Sequence, residues 1–324
     1  MMQLDQIMQL IGDGADKAGF PDHPERLYSP ARYIMEAGGK RIRPALALIA
    51  ANLFTDHPET CTGPALAMEV FHNFTLIHDD IMDQAPLRRG RATVHEKWDL
   101  STAILSGDVM MIRAWQLMME MEDNNLRAAL EMFNDTAVKV CEGQQYDMDF
   151  ELRDDVSLDE YITMIQYKTS VLLGCSLYCG ALAGGGNQED ADLLYAAGVQ
   201  LGVGFQIQDD LLDAYGDEKK FGKKPGGDIV RNKKTYLLLR LLEKCNENDR
   251  QLLREISADT KLEESKKIAS VIALYDKYSL YDEAIQTIQK YYQEAVVNIH
   301  SVSVTSERKQ VLLALAEQIL NRDF

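Results

Sequence analysis

Apolar residues recur at steps of three and four through almost every segment of this chain, and no stretch alternates in the manner of a half-buried strand. The pattern runs through "DLSTAILSGDVMMIRAWQLMMEME", where Ser101 is placed to cap the start, and through "NNLRAALEMFNDTAVKVCEGQQYDMDF" and "LDEYITMIQYKTSVLLGCSLYCGALA". It continues in "EDADLLYAAGVQLGVGFQIQDDLLDAYG" and in the runs after residue 246. Breakers fall between these segments: Pro21 and Pro24, Gly38-Gly39, Gly63-Pro64, Pro86, Gly184 to Gly186, and "GKKPGGD". The chain is predicted to be all-α, with roughly ten or more helices and no short-period repeat.

Its 324 residues, 46% of them apolar, suffice for one large core or two ordinary ones. No block of linker composition divides the sequence, so a single domain over 1–324 is expected. The net charge of -17 argues against broad attraction to nucleic acid or to an anionic membrane surface, so an anionic ligand must be met by a local cluster of positive charge. Cys61, Cys141, Cys175, Cys179 and Cys245 form no CxxC pair, and an odd number in a long chain fits a reducing cytoplasm. The N-terminal stretch has Asp5 before its apolar residues and no basic leader, unlike a signal peptide. "TSVLLGCSLYCGALAGGGNQ" is uncharged, but its apolar part is short and closed by glycine. It reads as a buried helix rather than a membrane span.

Two helices carry unusual charge. "LIHDDIMD" holds Asp79, Asp80 and Asp83, and "FQIQDDLLD" holds Asp209, Asp210 and Asp213. Positions i and i+4 stack on one helix face, so Asp79 with Asp83, and Asp209 with Asp213, make two oxygen-rich edges inside apolar sequence. Like charges at this spacing repel, and burying them uncompensated is costly. A hard divalent cation relieves both problems. Magnesium takes one or two carboxylates and fills its other positions with water and phosphate oxygens.

Basic residues supply the complementary half. "GGKRIRP" places Lys40, Arg41 and Arg43 after a glycine pair, and Arg88, Arg89 and Arg91 follow the first acidic cluster in a loop opened by Pro86. "YKTS" gives Lys168 and Thr169, and "GKKPGGDIVRNKK" offers Lys223, Lys224, Lys233 and Lys234. Together they suit two anionic headgroups, with forked contacts from arginine and point charges from lysine.

In order and spacing, "GGKRIRP", "HNFTLIHDDIMD" with "LRRGRATVH", "SGD", "GQQYDMDF", "YKT", "GFQIQDDLLD" and "GKKPGGDIVRNKKT" resemble the motifs of the trans-type (E)-polyprenyl diphosphate synthases. The resemblance runs from about residue 38 to 236. It implies a single-domain bundle of antiparallel helices around a deep central cavity, usually homodimeric, that condenses isopentenyl diphosphate with an allylic diphosphate.

By position, the resemblance gives Asp79 and Asp83, with Asp80 in support, two magnesium ions on the allylic diphosphate; Asp209, helped by Asp210 and Asp213, would hold a third. Arg88, Lys168, Lys224 and Lys233 would contact that diphosphate. Isopentenyl diphosphate would lie against Lys40, Arg43, His72 and Arg89. Thr169 and Gln206 match positions whose oxygen dipoles stabilise the developing cation. The first aspartate motif lacks the two-residue insertion of many bacterial farnesyl diphosphate synthases. The implied chemistry is ionisation of the allylic carbon-oxygen bond, attack by the isopentenyl double bond, and loss of a proton to the released pyrophosphate.

Product length is expected to depend on the helix that precedes Asp79, which rises about 1.5 Å per residue. Phe74, five residues before Asp79, would act as a plug, and Thr75 is small enough to let a chain pass. That pairing resembles enzymes that stop near twenty carbons, so geranylgeranyl diphosphate is the expected product, with farnesyl diphosphate the neighbouring one. Two other readings remain at this point. A terpene cyclase shares the first aspartate motif but usually has an Asn/Ser/Glu-type second motif and no use for a second diphosphate site. A catalytically silent acidic helical partner subunit would carry broken motifs.

Overall fold

The computed structural model describes residues 2–15, 18–216 and 225–320. Its helices are α1 (Leu4–Ala15), α2 (Glu25–Glu36), α3 (Ile42–Phe54), α4 (Thr62–Met82), α5 (Val94–Lys97), α6 (Leu100–Met118), α7 (Asp123–Glu151) and α8 (Leu158–Ile165). There follow α9 (Val171–Ala183), α10 (Gln188–Tyr215), α11 (Gly227–Val230), α12 (Tyr236–Lys244), α13 (Glu247–Ala258), α14 (Glu264–Lys277), α15 (Leu280–Ser301) and α16 (Ser306–Leu320). The chain is all-α, as the periodicity predicts. The sequence suggests no strand pair, yet the described residues include one: β1 (Leu87–Arg88) and β2 (Arg91–Ala92) run antiparallel, Leu87 opposite Ala92 and Arg88 opposite Arg91. Strands of two residues are too short to leave an alternating pattern.

The residues group into two compact units. The first comprises Met1–Asp135, Cys175–Tyr195 and Ser301–Leu312, and the second Thr136–Gly174, Ala196–His300 and Leu313–Phe324. The boundaries fall within helices such as α7, α9, α10 and α16, not in linkers.

In the first unit α4 is the buried axis: every residue from Gly63 to Phe71 is out of solvent, and α4 packs along α6. The start of α6 differs from expectation. Its cap is Asp99, whose carboxylate accepts from the Thr102 amide at 2.8 Å and the Thr102 hydroxyl at 3.0 Å, while Ser101 lies inside the first turn. The side chain three residues before an orphan amide reaches it best, and only Asp99 has that register.

The apolar segment read as a buried helix is α9, with Leu177, Cys179, Ala181 and Leu182 all in the core. It lies against α3 through glycines. A Cβ on Gly180 would sit 2.0 Å from the Ala47 carbonyl oxygen, and one on Gly184 would sit 2.5 Å from that of Ala51. Gly180→Ala is therefore expected to cost about 3 kcal/mol through overpacking against backbone. That appears as a fall of roughly 4–5 °C in the melting temperature; a shift under about 1 °C would mean the two helices separate readily.

In the second unit, α8 opens with a capping box: Glu160 N–H donates to Ser157 Oγ at 3.2 Å, and Ser157 N–H donates to Glu160 Oε2 at 2.9 Å. After α8 the helix widens into a π turn over Gln166–Ser170 before continuing as α9. Leu237, Leu239 and Leu241 of α12 join Val271, Leu274 and Tyr275 of α14 in that unit's core. No helix among the described residues is long and apolar enough to cross a membrane.

Candidate active site

The first acidic cluster sits at the C-terminal end of α4. The Asp83 amide donates to the Asp79 carbonyl at 2.9 Å, so these two carboxylates stand one turn apart on one edge, as their spacing requires. Asp80 points another way and is 1% exposed. Its Oδ1 accepts from Arg88 Nε at 2.7 Å, and Arg88 Nη2 also donates to Asp79 Oδ2 at 3.2 Å. Asp80 Oδ2 is buried with no hydrogen-bond partner among the described residues. Burial raises the Asp80 pKa above the usual carboxylate value against the pull of Arg88. Three acids at the negative end of a helix dipole make a position where added positive charge is favourable.

The hairpin after α4 explains why two adjacent arginines serve different neighbours. Arg89 and Gly90 form its two-residue turn with φ of 53° and 76°, the positive values that suit a tight hairpin. Arg88 returns to the aspartates, while the Arg89 guanidinium lies against the α2–α3 turn. A Cβ on Gly39 would come within 2.8 Å of Arg89 Nη1, so only glycine permits that approach. Arg91 is held elsewhere, 4.0 Å over the Tyr33 ring.

Behind Gly39 the chain takes a left-handed residue at Arg41, φ 46°, and enters α3 with no side-chain cap. Arg43, in the first turn, has its Nε buried without a partner among the described residues, and burial pushes its pKa down to about 10. His72 of α4 feels the same cations: burial, then Arg43, Arg89 and Arg88, hold its pKa well below the ordinary imidazole value, so it is neutral. Lys40 is exposed. The structure thus brings Arg43, His72 and Arg89 into one electrostatic cluster in the first unit.

Phe74, 7% exposed, belongs to an aromatic stack. Its ring centroid is 5.3 Å from Phe71 and 4.9 Å from His78, and Phe71 continues to Phe133 at 5.3 Å and Trp115 at 5.9 Å. Thr75, beside it, spends its hydroxyl on the His72 carbonyl at 2.8 Å.

The second unit carries the other cluster on α10. Asp210 Oδ2 accepts from the Tyr161 hydroxyl at 2.5 Å and the Tyr236 amide at 2.8 Å. Burial pushes its pKa up to about 7, opposed by those two bonds and by Lys233. Asp213 Oδ2 accepts from the Asp228 amide at 2.9 Å and so ties down the start of α11; burial raises its pKa too. Lys168, on the π turn, donates to Asp147 Oδ2 at 2.6 Å. Gly143, one turn before Asp147 on α7, allows this, because a Cβ there would lie 2.2 Å from the Lys168 amide. Burial works against charging Lys233, but Asp147, Asp228 and Asp210 outweigh it and raise its pKa. Thr169, Gln206 and Asp209 are all partly exposed on this unit. Lys223 and Lys224 lie outside the described residues.

Two acids escaped the sequence reading. Asp147 sits inside the quoted "GQQYDMDF" without a role, and Glu69 lies on the apolar run of α4, three residues before His72. That shared helical face was the available signal for Glu69.

The family model for polyprenyl synthetase matches residues 24–275. The chain belongs to that family. A short chain isoprenyl diphosphate synthase of Methanothermobacter thermautotrophicus is 36% identical over 330 residues, covering 100% of both chains. A geranylgeranyl diphosphate synthase of Sulfolobus acidocaldarius is 37% identical, over 92% of this chain and 91% of that one. Among solved structures, a geranylgeranyl pyrophosphate synthase superposes with a TM-score of 0.94 at 41% identity, covering 100% of both chains. A polyprenyl synthase from Caulobacter crescentus CB15, solved with calcium and isoprenyl diphosphate, gives a TM-score of 0.84 at 26% identity over 98% and 97% of the two chains. The protein is a short-chain trans-prenyltransferase, and neither the cyclase nor the silent-partner reading finds support among these relatives.

Proposed function

We propose that this polyprenyl synthetase condenses isopentenyl diphosphate with an allylic diphosphate and releases chiefly geranylgeranyl diphosphate. The observation that carries the reading is the parting of Arg88 and Arg89: one guanidinium goes to Asp79 and Asp80, the other to Gly39, in the group with Arg43 and His72. Two separate cationic positions suit two diphosphate substrates, whereas a cyclase needs one.

The donor set fits magnesium. Asp79 and Asp83 in the first unit, and Asp209 with Asp210 and Asp213 in the second, offer hard oxygen ligands only, and Asp80 Oδ2 is a buried acceptor without a partner among the described residues. Three ions are proposed on the allylic diphosphate. Bound there, magnesium would neutralise the charge that builds on the leaving pyrophosphate.

The chain's own residues do the remaining work. Arg88, Lys168, Lys233 and Lys224 hold the allylic diphosphate, with Arg88 and Lys168 pre-aimed by Asp80 and Asp147. Lys40, Arg43 and Arg89 hold the homoallylic diphosphate, and neutral His72 donates a hydrogen bond without adding charge. Thr169 and Gln206 turn oxygen dipoles toward the carbon that becomes cationic. No side chain acts as a nucleophile, and the proton leaves with pyrophosphate.

We further assign residues 1–324 to one catalytic domain working as a homodimer in the cytoplasm. An exposed apolar line on α6 and its end, Leu105 (58%), Ile112 (54%) and Met119 (54%), repeats every seven residues in support of self-association. The five cysteines, none disulfide-bonded, support a reducing compartment.

The test is incubation with isopentenyl diphosphate, farnesyl diphosphate and magnesium, followed by chromatography of the dephosphorylated product. A linear twenty-carbon alcohol is expected, and excess chelator should suppress turnover by more than about 100-fold. A cyclic hydrocarbon, or turnover that survives chelation, would refute the reading.

A further inference from the structure

The segment from α11 to α12 carries Lys233, and hydrogen bonds tie it to α10 at two places. The Asp228 amide donates to Asp213 Oδ2 at 2.9 Å, and the Tyr236 amide donates to Asp210 Oδ2 at 2.8 Å. Between these ties α11 closes on Asn232, which is left-handed with φ of 55°. The Asn232 amide donates to the Ile229 carbonyl at 3.1 Å and the Lys233 amide to the Asp228 carbonyl at 2.9 Å. Such a pair of bonds ends a helix in a fixed shape and sets where the next residue leaves. The Val230 carbonyl is passed over by that cap, and a side chain of α14 takes it: Lys267, 8% exposed, donates from Nζ at 2.9 Å. The start of α11 lies close to α14 as well, since a Cβ on Gly226 would fall 2.5 Å from Ile268 Cδ1.

Taking an ammonium out of water is costly, and an apolar side chain of the same length would fill that space without the penalty. What the lysine adds is a charge-assisted bond to the end of α11. We propose that Lys267 is a positioning residue for allylic diphosphate binding: by holding the Val230 carbonyl it fixes the cap of α11, and with it the place of Lys233. This rests on the assignment of Lys233 to that diphosphate.

The three ties differ in one respect. Asp210 and Asp213 are proposed to share their carboxylates with magnesium, so their hold on the segment must coexist with the metal. The Lys267 bond involves neither acid and holds the segment from α14 whatever those acids bind. Without it Lys233 keeps its charge, but the end of α11 is free to shift. A misplacement on the order of 1 Å at a charge-assisted contact weakens binding of the substrate that uses it. The homoallylic diphosphate, assigned to residues of the first unit, should be left alone.

The experiment is Lys267→Met, which keeps the apolar stem and removes the donor, made alone and together with Lys233→Met. In Lys267→Met, KM for the allylic diphosphate is expected to rise about threefold to tenfold, while KM for isopentenyl diphosphate moves less than about twofold. Lys233→Met should raise the allylic KM about tenfold or more, and adding Lys267→Met to it should change that KM less than about twofold further, because residues that act through one another are not additive. In the metal-free protein, amide exchange over residues 227–233 should quicken about tenfold in Lys267→Met, with α4 unchanged. Should Lys267→Met fail to fold, the shorter polar side chain of Lys267→Gln takes its place in the same cycle. Equal movement of both KM values, an additive double variant or unaltered exchange would overturn the positioning role. Lys233→Met decides the assignment beneath it: if that variant leaves the allylic KM unchanged, the substrate reading of Lys233 falls and the positioning role with it. If it raises that KM and Lys267→Met does not, only the positioning role falls.

Discussion

Asp79→Asn is expected to lower kcat by about 10³-fold while leaving the protein folded. The amide keeps the shape of the side chain and removes the charge. Two losses then coincide. The edge shared with Asp83 no longer has the charge to hold a divalent cation, and Arg88, which bridges Asp79 and Asp80, loses one of its two carboxylates. Removing a single preorganised electrostatic contact at a leaving group typically costs 10²–10³-fold, and weakened metal binding adds to it. Steady-state rates at several magnesium concentrations, with circular dichroism to verify folding, make the check. Retention of more than about a tenth of the wild-type kcat would remove Asp79 from the metal edge.

Phe74→Ala is expected to lengthen the major product by at least one isoprene unit. One helical turn of α4 is about 5.4 Å, close to the length of that unit, and Phe74 lies a little over one turn before Asp79. The Phe71 ring, 5.3 Å from Phe74, then becomes the next aromatic on the helix, so the increase should be stepwise rather than unlimited. The substitution also opens a void, and a stability loss of about 3–5 kcal/mol should accompany it. Chromatography of the dephosphorylated products, with farnesyl diphosphate as starter, reads the outcome. An unchanged profile would make Phe74 simply part of the aromatic stack with Phe71 and His78.

The helices were legible because a 3.6-residue period is a local property of the sequence. The acidic clusters were legible for a related reason: charge set in an apolar helix needs an explanation. The division of labour within each cluster was not. Asp80, Asp210 and Asp213 look equivalent to their neighbours, yet each carboxylate accepts a hydrogen bond from a protein group: Arg88, Tyr161 with the Tyr236 amide, and the Asp228 amide. Those donors come from 8 to 49 residues away, and no local pattern encodes them. The cap of α6 was misplaced for the opposite reason: Asp99 and Ser101 are both competent caps, and only the backbone register chooses between them.

The π turn at Gln166–Ser170 puts the residues before and after it out of phase on the helical wheel. Lys168 and Thr169 ride on that offset, with Lys168 seated over Gly143 and bonded to Asp147. Shortening the segment by one residue would rewind it into a regular spiral and swing the lysine roughly 100° around the axis. What this stretch must preserve is its count of residues more than their chemistry, so insertion and deletion would be harder to accommodate there than substitution.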